Sequence, residues 1–114
     1  MIHEMRLNNE PFTKIKEGTK TVELRLLDEK RKALRIGDKI IFTNKETGEK
    51  IDVYVKGLFK ADNFDTIYEK YSKVEIGYNE GEDAKPEDME EYYPKEEIKK
   101  YGCLAIEIEK VLKW

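Results

Sequence analysis

Apolar side chains return at every second position in five short blocks of this chain, and aliphatics spaced that way reach a common core only from strands of a sheet. The blocks span residues 1–7, 21–26, 39–42, 51–55 and 104–109. The second carries the most chemistry. Gly18-Thr19-Lys20 turns into Thr21-Val22-Glu23-Leu24-Arg25-Leu26, with Val22, Leu24 and Leu26 on one face and Thr21, Glu23 and Arg25 on the other. Lys20 stands at the strand's mouth, where period-two parity no longer sets its direction. Alternating Glu and Arg on a strand is ordinarily a solvated face with weak charge pairing. Held steadily, the same residues grip an anion or polarise a carbonyl.

The remaining blocks and the segments between them complete a small fold. In the first block Met1, His3, Met5 and Leu7 share a face, so His3 is expected to be packed or at a sheet edge rather than catalytic. Asn9 is expected to cap a short helix with Pro11 in its first turn, Phe12 and Ile15 as its apolar stripe and Gly18 as its C-terminal cap. Residues 28–34 place acids before bases, which suits a short helix. Ile36-Gly37-Asp38 turns into the third strand, residues 44–48 form a hairpin loop, and Gly57-Leu58-Phe59 continues the fourth strand past a bulge. Asp62 or Asn63 caps a helix whose Phe64, Ile67, Tyr68 and Tyr71 keep helical spacing and read as core.

Residues 74–97 hold ten Asp/Glu and two Lys. They read as a loop, then a helix from Pro86 with Met89, Tyr92 and Tyr93 inward, then a helix opened by Pro94 and closed by Gly102. Leu104, Ile106 and Ile108 are expected to face the core from the last strand. The order predicts one domain over residues 1–114, mixed α/β, with a small, mainly antiparallel sheet curled into a barrel and short helices closing its ends.

Composition narrows the function. The single cysteine, Cys103, forbids an intrachain disulfide, and with His3 it makes too few soft ligands for a zinc site, so no metal or cofactor is expected. Phosphate-binding glycine loops, nucleophile elbows and paired-cysteine deaminase motifs are absent from the sequence, and one His and one Cys leave little for Ser-His or Cys-His chemistry. With no apolar run near 18 residues and no charged-then-apolar leader, the expected location is the cytoplasm, with no membrane partner. The 41% of charged residues, rich in Lys and Glu, is typical of heat-adapted proteins. Net charge is −3, yet residues 1–45 carry 11 Lys/Arg against 7 Asp/Glu and the remainder is acidic. A local positive surface on an acidic protein still engages a phosphate or a short strand, with affinity that falls as salt rises.

Several stretches taken together resemble the ASCH domain, a member of the PUA-like barrel superfamily. They are Pro11-Phe12 with Ile15, the G-x-K-T-x-E-x-R block from Gly18 to Arg25, the G-D-x-I-x-F block from Gly37 to Phe42, the Phe64 helix, and Tyr101-Gly102 before the last strand. The resemblance implies a PUA-like barrel of about five to six strands with a cleft between barrel and helices, and RNA or a modified nucleoside as partner. Some bacterial ASCH proteins are metal-independent amidohydrolases that deacetylate N4-acetylcytidine with a Lys, a Thr and a Glu. By that resemblance the Lys is Lys20, the Glu is Glu75, an Arg is Arg25, and Glu23 stands where the family has its Thr. The implied binding set is Lys20, Glu23 and Arg25, with Glu75 at the rim. The candidate catalytic set is Lys20, Glu23 and Glu75: with Glu23 in the Thr position, amide hydrolysis has Glu23 activating a water, Lys20 and Arg25 holding the developing negative charge and Glu75 protonating the leaving amine. A third expectation is a protein-interaction module that uses the acidic 74–97 stretch.

Overall fold

The computed structural model describes residues 1–112. Its chain order is β1 (Ile2–Leu7), α1 (Asn9–Glu17), β2 (Val22–Leu26), α2 (Glu29–Lys32), β3 (Lys39–Asn44), β4 (Lys50–Ala61), α3 (Phe64–Lys70), a 3-10 helix (Pro86–Glu91), α4 (Lys95–Tyr101) and β5 (Cys103–Lys110). The five strands form one sheet in the order β1-β3-β4-β5-β2, curled into a half-barrel. Only the β1–β3 pair is parallel; the other three are antiparallel. The expected mixed α/β, mainly antiparallel architecture is therefore the one observed, with five strands.

Two cores lie on opposite faces of that sheet. The inner core gathers Met5, Leu7, Ile40, Phe42, Val53, Val55, Leu104, Ile106 and Ile108 from the strands, with Phe12 and Ile15 of α1 covering them. The outer core packs Val22, Leu24, Leu26, Cys103 and Ala105 against Phe64 and Ile67 of α3, together with Ile76 and Met89. The last strand is thus buried on both faces, where only Leu104, Ile106 and Ile108 were expected inward. Strands β2 and β5 pair Glu23 with Ile106 and Arg25 with Leu104. Directly opposed residues share a face, so Glu23 and Arg25 look into the half-barrel while their aliphatic neighbours look into the outer core.

Local chemistry accounts for most boundaries and corrects a few. Gly18 ends α1 at φ 91°, a conformation that a side chain opposes. Asn9 is not the cap but the first helical residue; the N-cap is Asn8, without a side-chain bond, and Asn9 Oδ1 accepts from Asn44 Nδ2 at 2.9 Å. Asn63 rather than Asp62 caps α3, accepting from the Thr66 N–H at 3.3 Å. The segment from Pro86 is a 3-10 helix. Its Met89 is buried and Tyr93 stacks on Phe64 at 6.3 Å, but Tyr92 points outward, 62% exposed. The β4 bulge falls between Val55 and Gly57, where a Cβ would stand 2.8 Å from Glu107 Oε1. His3 is packed as expected: its Nε2–H donates to Asp38 Oδ2 at 2.8 Å, and the Arg35 N–H donates to the same oxygen. Those bonds, His3's first, hold the Asp38 carboxyl down at about 2. Among the described residues no helix is long and apolar enough to cross a membrane.

Candidate functional site

Because β2 turns its charged face into the half-barrel, Glu23 is 4% exposed and Lys20 9%. The solvated-face reading of the alternating motif is therefore incorrect: the outer core claims the aliphatics, and the polar side faces an interior. Glu23 is clamped from both sides. Its Oε1 lies 2.8 Å from Lys20 Nζ and its Oε2 accepts from Arg25 Nε at 2.7 Å. Burial pushes the Glu23 carboxyl up, but the two cations and their hydrogen bonds outweigh it and leave it below the ordinary carboxylate range. For Arg25, burial is likewise opposed by Glu23, and the guanidinium is held more firmly protonated.

The clamp is anchored by backbone. Arg25 Nη2 donates to the Arg6 carbonyl at 3.0 Å, so one side chain reaches from edge strand β2 to edge strand β1 across the open side of the sheet. Lys20 runs beneath Gly77, whose missing Cβ would stand 3.1 Å from Lys20 Cδ at a φ of 114°. Lys14 Nζ donates to the Gly77 carbonyl at 2.7 Å, and the Thr21 and Val22 N–H groups both donate to the Glu75 carbonyl at 3.0 Å. The loop before the 3-10 helix is thereby stitched to the mouth of β2, which fixes where Lys20 can reach.

Above the clamp opens a cleft of about 750 Å³, between the half-barrel and residues 76–93. Lys20, Glu23 and Arg25 line it together with Tyr68, Tyr78, Tyr92 and Tyr93. Among the described residues, four basic and five acidic side chains border it. Glu75 does not. Its side chain is exposed, its Oε1 accepts from the Ser72 N–H at 2.8 Å, and it borders a separate hollow of about 380 Å³ with Tyr71 and Glu107. Lys20 borders both spaces. Of the four residues singled out in the sequence, three meet at one floor and the fourth stands apart.

Sequence reasoning did not assign the tyrosine wall to the cleft. Tyr68 sits at helical spacing beside Phe64 and Ile67, which reads as core, and it is indeed packed against the outer core while also facing the cleft. Tyr78 and Asp88 lie in the acidic stretch, where no periodicity marks them. Tyr68 and Tyr78 hydroxyls are 2.8 Å apart, and Tyr78 donates to Asp88 Oδ2 at 2.8 Å. That chain ties α3 to the 3-10 helix across the cleft wall.

The fold and cavity define a small, single-sheet α/β half-barrel domain with a buried charge cluster at its open side. The chain belongs to the ASCH domain family, whose model matches residues 5–112. Among solved structures it is similar to hypothetical protein PH0355, at 36% identity with a TM-score of 0.82, covering 97% of this chain and 100% of that one. It is similar also to protein PF0455 from Pyrococcus furiosus, at 34% identity with a TM-score of 0.74, covering 99% and 100%. An ASCH protein from Zymomonas mobilis shares the fold at 17% identity with a TM-score of 0.67, over 95% of this chain and 66% of that one. No curated protein matches the chain.

Proposed function

We propose that this ASCH domain binds a modified nucleoside, free or within a short RNA, in the cleft floored by Lys20, Glu23 and Arg25. The observation that carries the reading is the Lys20–Glu23–Arg25 clamp, buried at the base of a cavity roomy enough for a nucleoside and walled by tyrosines. Two cations around one carboxylate leave a net positive floor. Their uncommitted N–H groups suit a carbonyl or a single phosphate, while aromatic walls suit the face of a base. The near balance of acids and bases around the cleft argues for one nucleoside at the floor rather than a long phosphate track.

The amidohydrolase reading, with Lys20, Glu23 and Glu75 as its catalytic set, has less support. A carboxylate held below its ordinary range, with both oxygens engaged, is a weak general base, and Glu75 stands away from the cleft. The interaction-module reading rests on the exposed acids of residues 74–97, while Tyr78, Met89 and Tyr93 of that stretch are spent on packing.

One experiment separates the three. N4-acetylcytidine and a short RNA carrying it are titrated into the wild type, Lys20→Ala and Glu75→Ala at two salt concentrations, with acetate release followed in parallel. Binding lost in Lys20→Ala, retained in Glu75→Ala and without turnover is expected. Turnover abolished by both substitutions would establish the hydrolase instead. Absence of binding and of turnover in the folded wild type would remove both and leave the acidic surface as the functional face.

A further inference from the structure

We infer that Tyr68 is a hydrogen-bond acceptor facing the cleft, and that it selects bases carrying an exocyclic amine on the same edge as a carbonyl. The inference rests on the nucleoside reading above and names the chemistry that such a ligand must present. It follows from counting protons along the tyrosine chain.

A phenol has one proton to give, and an ionised carboxylate has none. Tyr78 Oη lies 2.8 Å from Asp88 Oδ2 and 3.4 Å from the Lys85 carbonyl, both acceptors only. Its proton therefore points away from Tyr68. The 2.8 Å contact between the two hydroxyls then requires Tyr68 to be the donor. With that proton committed, the Tyr68 oxygen has lone pairs alone to offer the cavity it borders. Burial first raises the pKa of both phenols; for Tyr78 its hydrogen bonds add to this, while for Tyr68 the Tyr78 bond opposes it without cancelling it, so the chain keeps its protons and its direction through the physiological range.

The floor has the opposite polarity. Each Glu23 oxygen already accepts from a buried cation, and Lys20 and Arg25 have only donors, so donors dominate the floor. The cleft thus joins a donor floor to an acceptor wall. A base with an amine and a carbonyl on one edge satisfies both ends, as cytosine and guanine do; adenine has no carbonyl. A ligand lacking the amine leaves the Tyr68 oxygen unpaired in a half-buried wall, which costs affinity.

The test uses two matched pairs of ribonucleosides that differ by the amine alone: cytidine with its 4-desamino analogue, and guanosine with inosine. Affinities are measured by calorimetry in the wild type, Lys20→Ala, Tyr68→Phe and Tyr78→Phe, with near-ultraviolet circular dichroism as the folding control. The wild type is expected to prefer the amine-bearing member of at least one pair by about tenfold. Tyr68→Phe should bring that ratio to within about twofold of unity. Tyr78→Phe should narrow the ratio although Tyr68 is intact, because the Tyr68 hydroxyl is then free to turn its proton toward ligands that lack the amine. A tyrosine that only held the wall in place would weaken both members of a pair equally.

If binding depends on Lys20 but the wild type shows no amine preference, or if Tyr68→Phe and Tyr78→Phe leave the ratio unchanged, the assignment of Tyr68 is wrong while the cleft stands as the binding site. If no nucleoside of the two pairs binds the folded wild type, the nucleoside reading falls and this inference falls with it.

Discussion

Replacing Glu23 with Gln tests whether the clamp is a buried charge cluster in energetic terms. Gln keeps the shape but offers one acceptor and one NH2 donor, so it can satisfy Lys20 or Arg25 and must turn a donor toward the other. The side chains of Glu23, Lys20 and Arg25 are only 5%, 10% and 13% exposed, so water does not readily replace the lost partner. Removing one member of a buried ion pair costs about 3–5 kcal/mol, most of it the burden of the charge left behind. At about 4 °C per kcal/mol for a domain of this size, the expected fall in Tm is about 12–20 °C. Urea unfolding at pH 7 and scanning calorimetry read the two quantities independently. The double variant Lys20→Met/Glu23→Gln removes one stranded cation and should recover part of the loss, with a coupling above about 1 kcal/mol. A loss in Glu23→Gln below about 1 kcal/mol is what an exposed pair yields, and it would refute the argument that β2 turns its polar face inward.

Acid should find the same cluster and a second one. Because the Glu23 carboxyl is lower in the folded state than its ordinary 4.5, its contribution is complete above that value and drains as pH falls through the folded value. Asp38, held at about 2 against an ordinary 3.8, contributes fully above about 4 and loses that contribution between there and pH 2; Asp38→Asn should flatten this limb of a Tm-versus-pH curve. Ile67→Ala opens a cavity in the outer core at a fully buried position, and a loss of about 2–5 kcal/mol is expected in urea unfolding. Burial, with a smaller push from Asp62, raises the Cys103 thiol to about 12, so alkylation at pH 8 should proceed only through unfolding and slow with added stability. Labelling at the rate of a free thiol in folded protein would contradict that.

How much could be read from residues alone follows from what alternation can encode. Period two states that Val22, Leu24 and Leu26 share one face and Glu23 and Arg25 the other, and the structure keeps that division. It does not state which face meets water, and a sheet covered on both sides answers neither. The same ambiguity hid Cys103 and Ala105, which lie opposite Leu104 and Ile106 in β5 and are buried against α3. Helix ends were largely legible because Gly18, Asn63 and Gly102 carry their chemistry locally. Asn9 was misread because two adjacent asparagines compete for one cap and tertiary contact with Asn44 decides between them. The cleft was legible only at its floor, where one continuous motif brings its own charges together. Its wall is assembled from Tyr68, Tyr78 and Asp88, ten residues apart at each step across a loop, and no local pattern announces such a meeting. The physical sign that a strand's charged face is interior is therefore the register of its partner. Once Glu23 is paired with Ile106, a residue with no access to water, the carboxylate must find cations of its own, and Lys20 and Arg25 are the ones within reach.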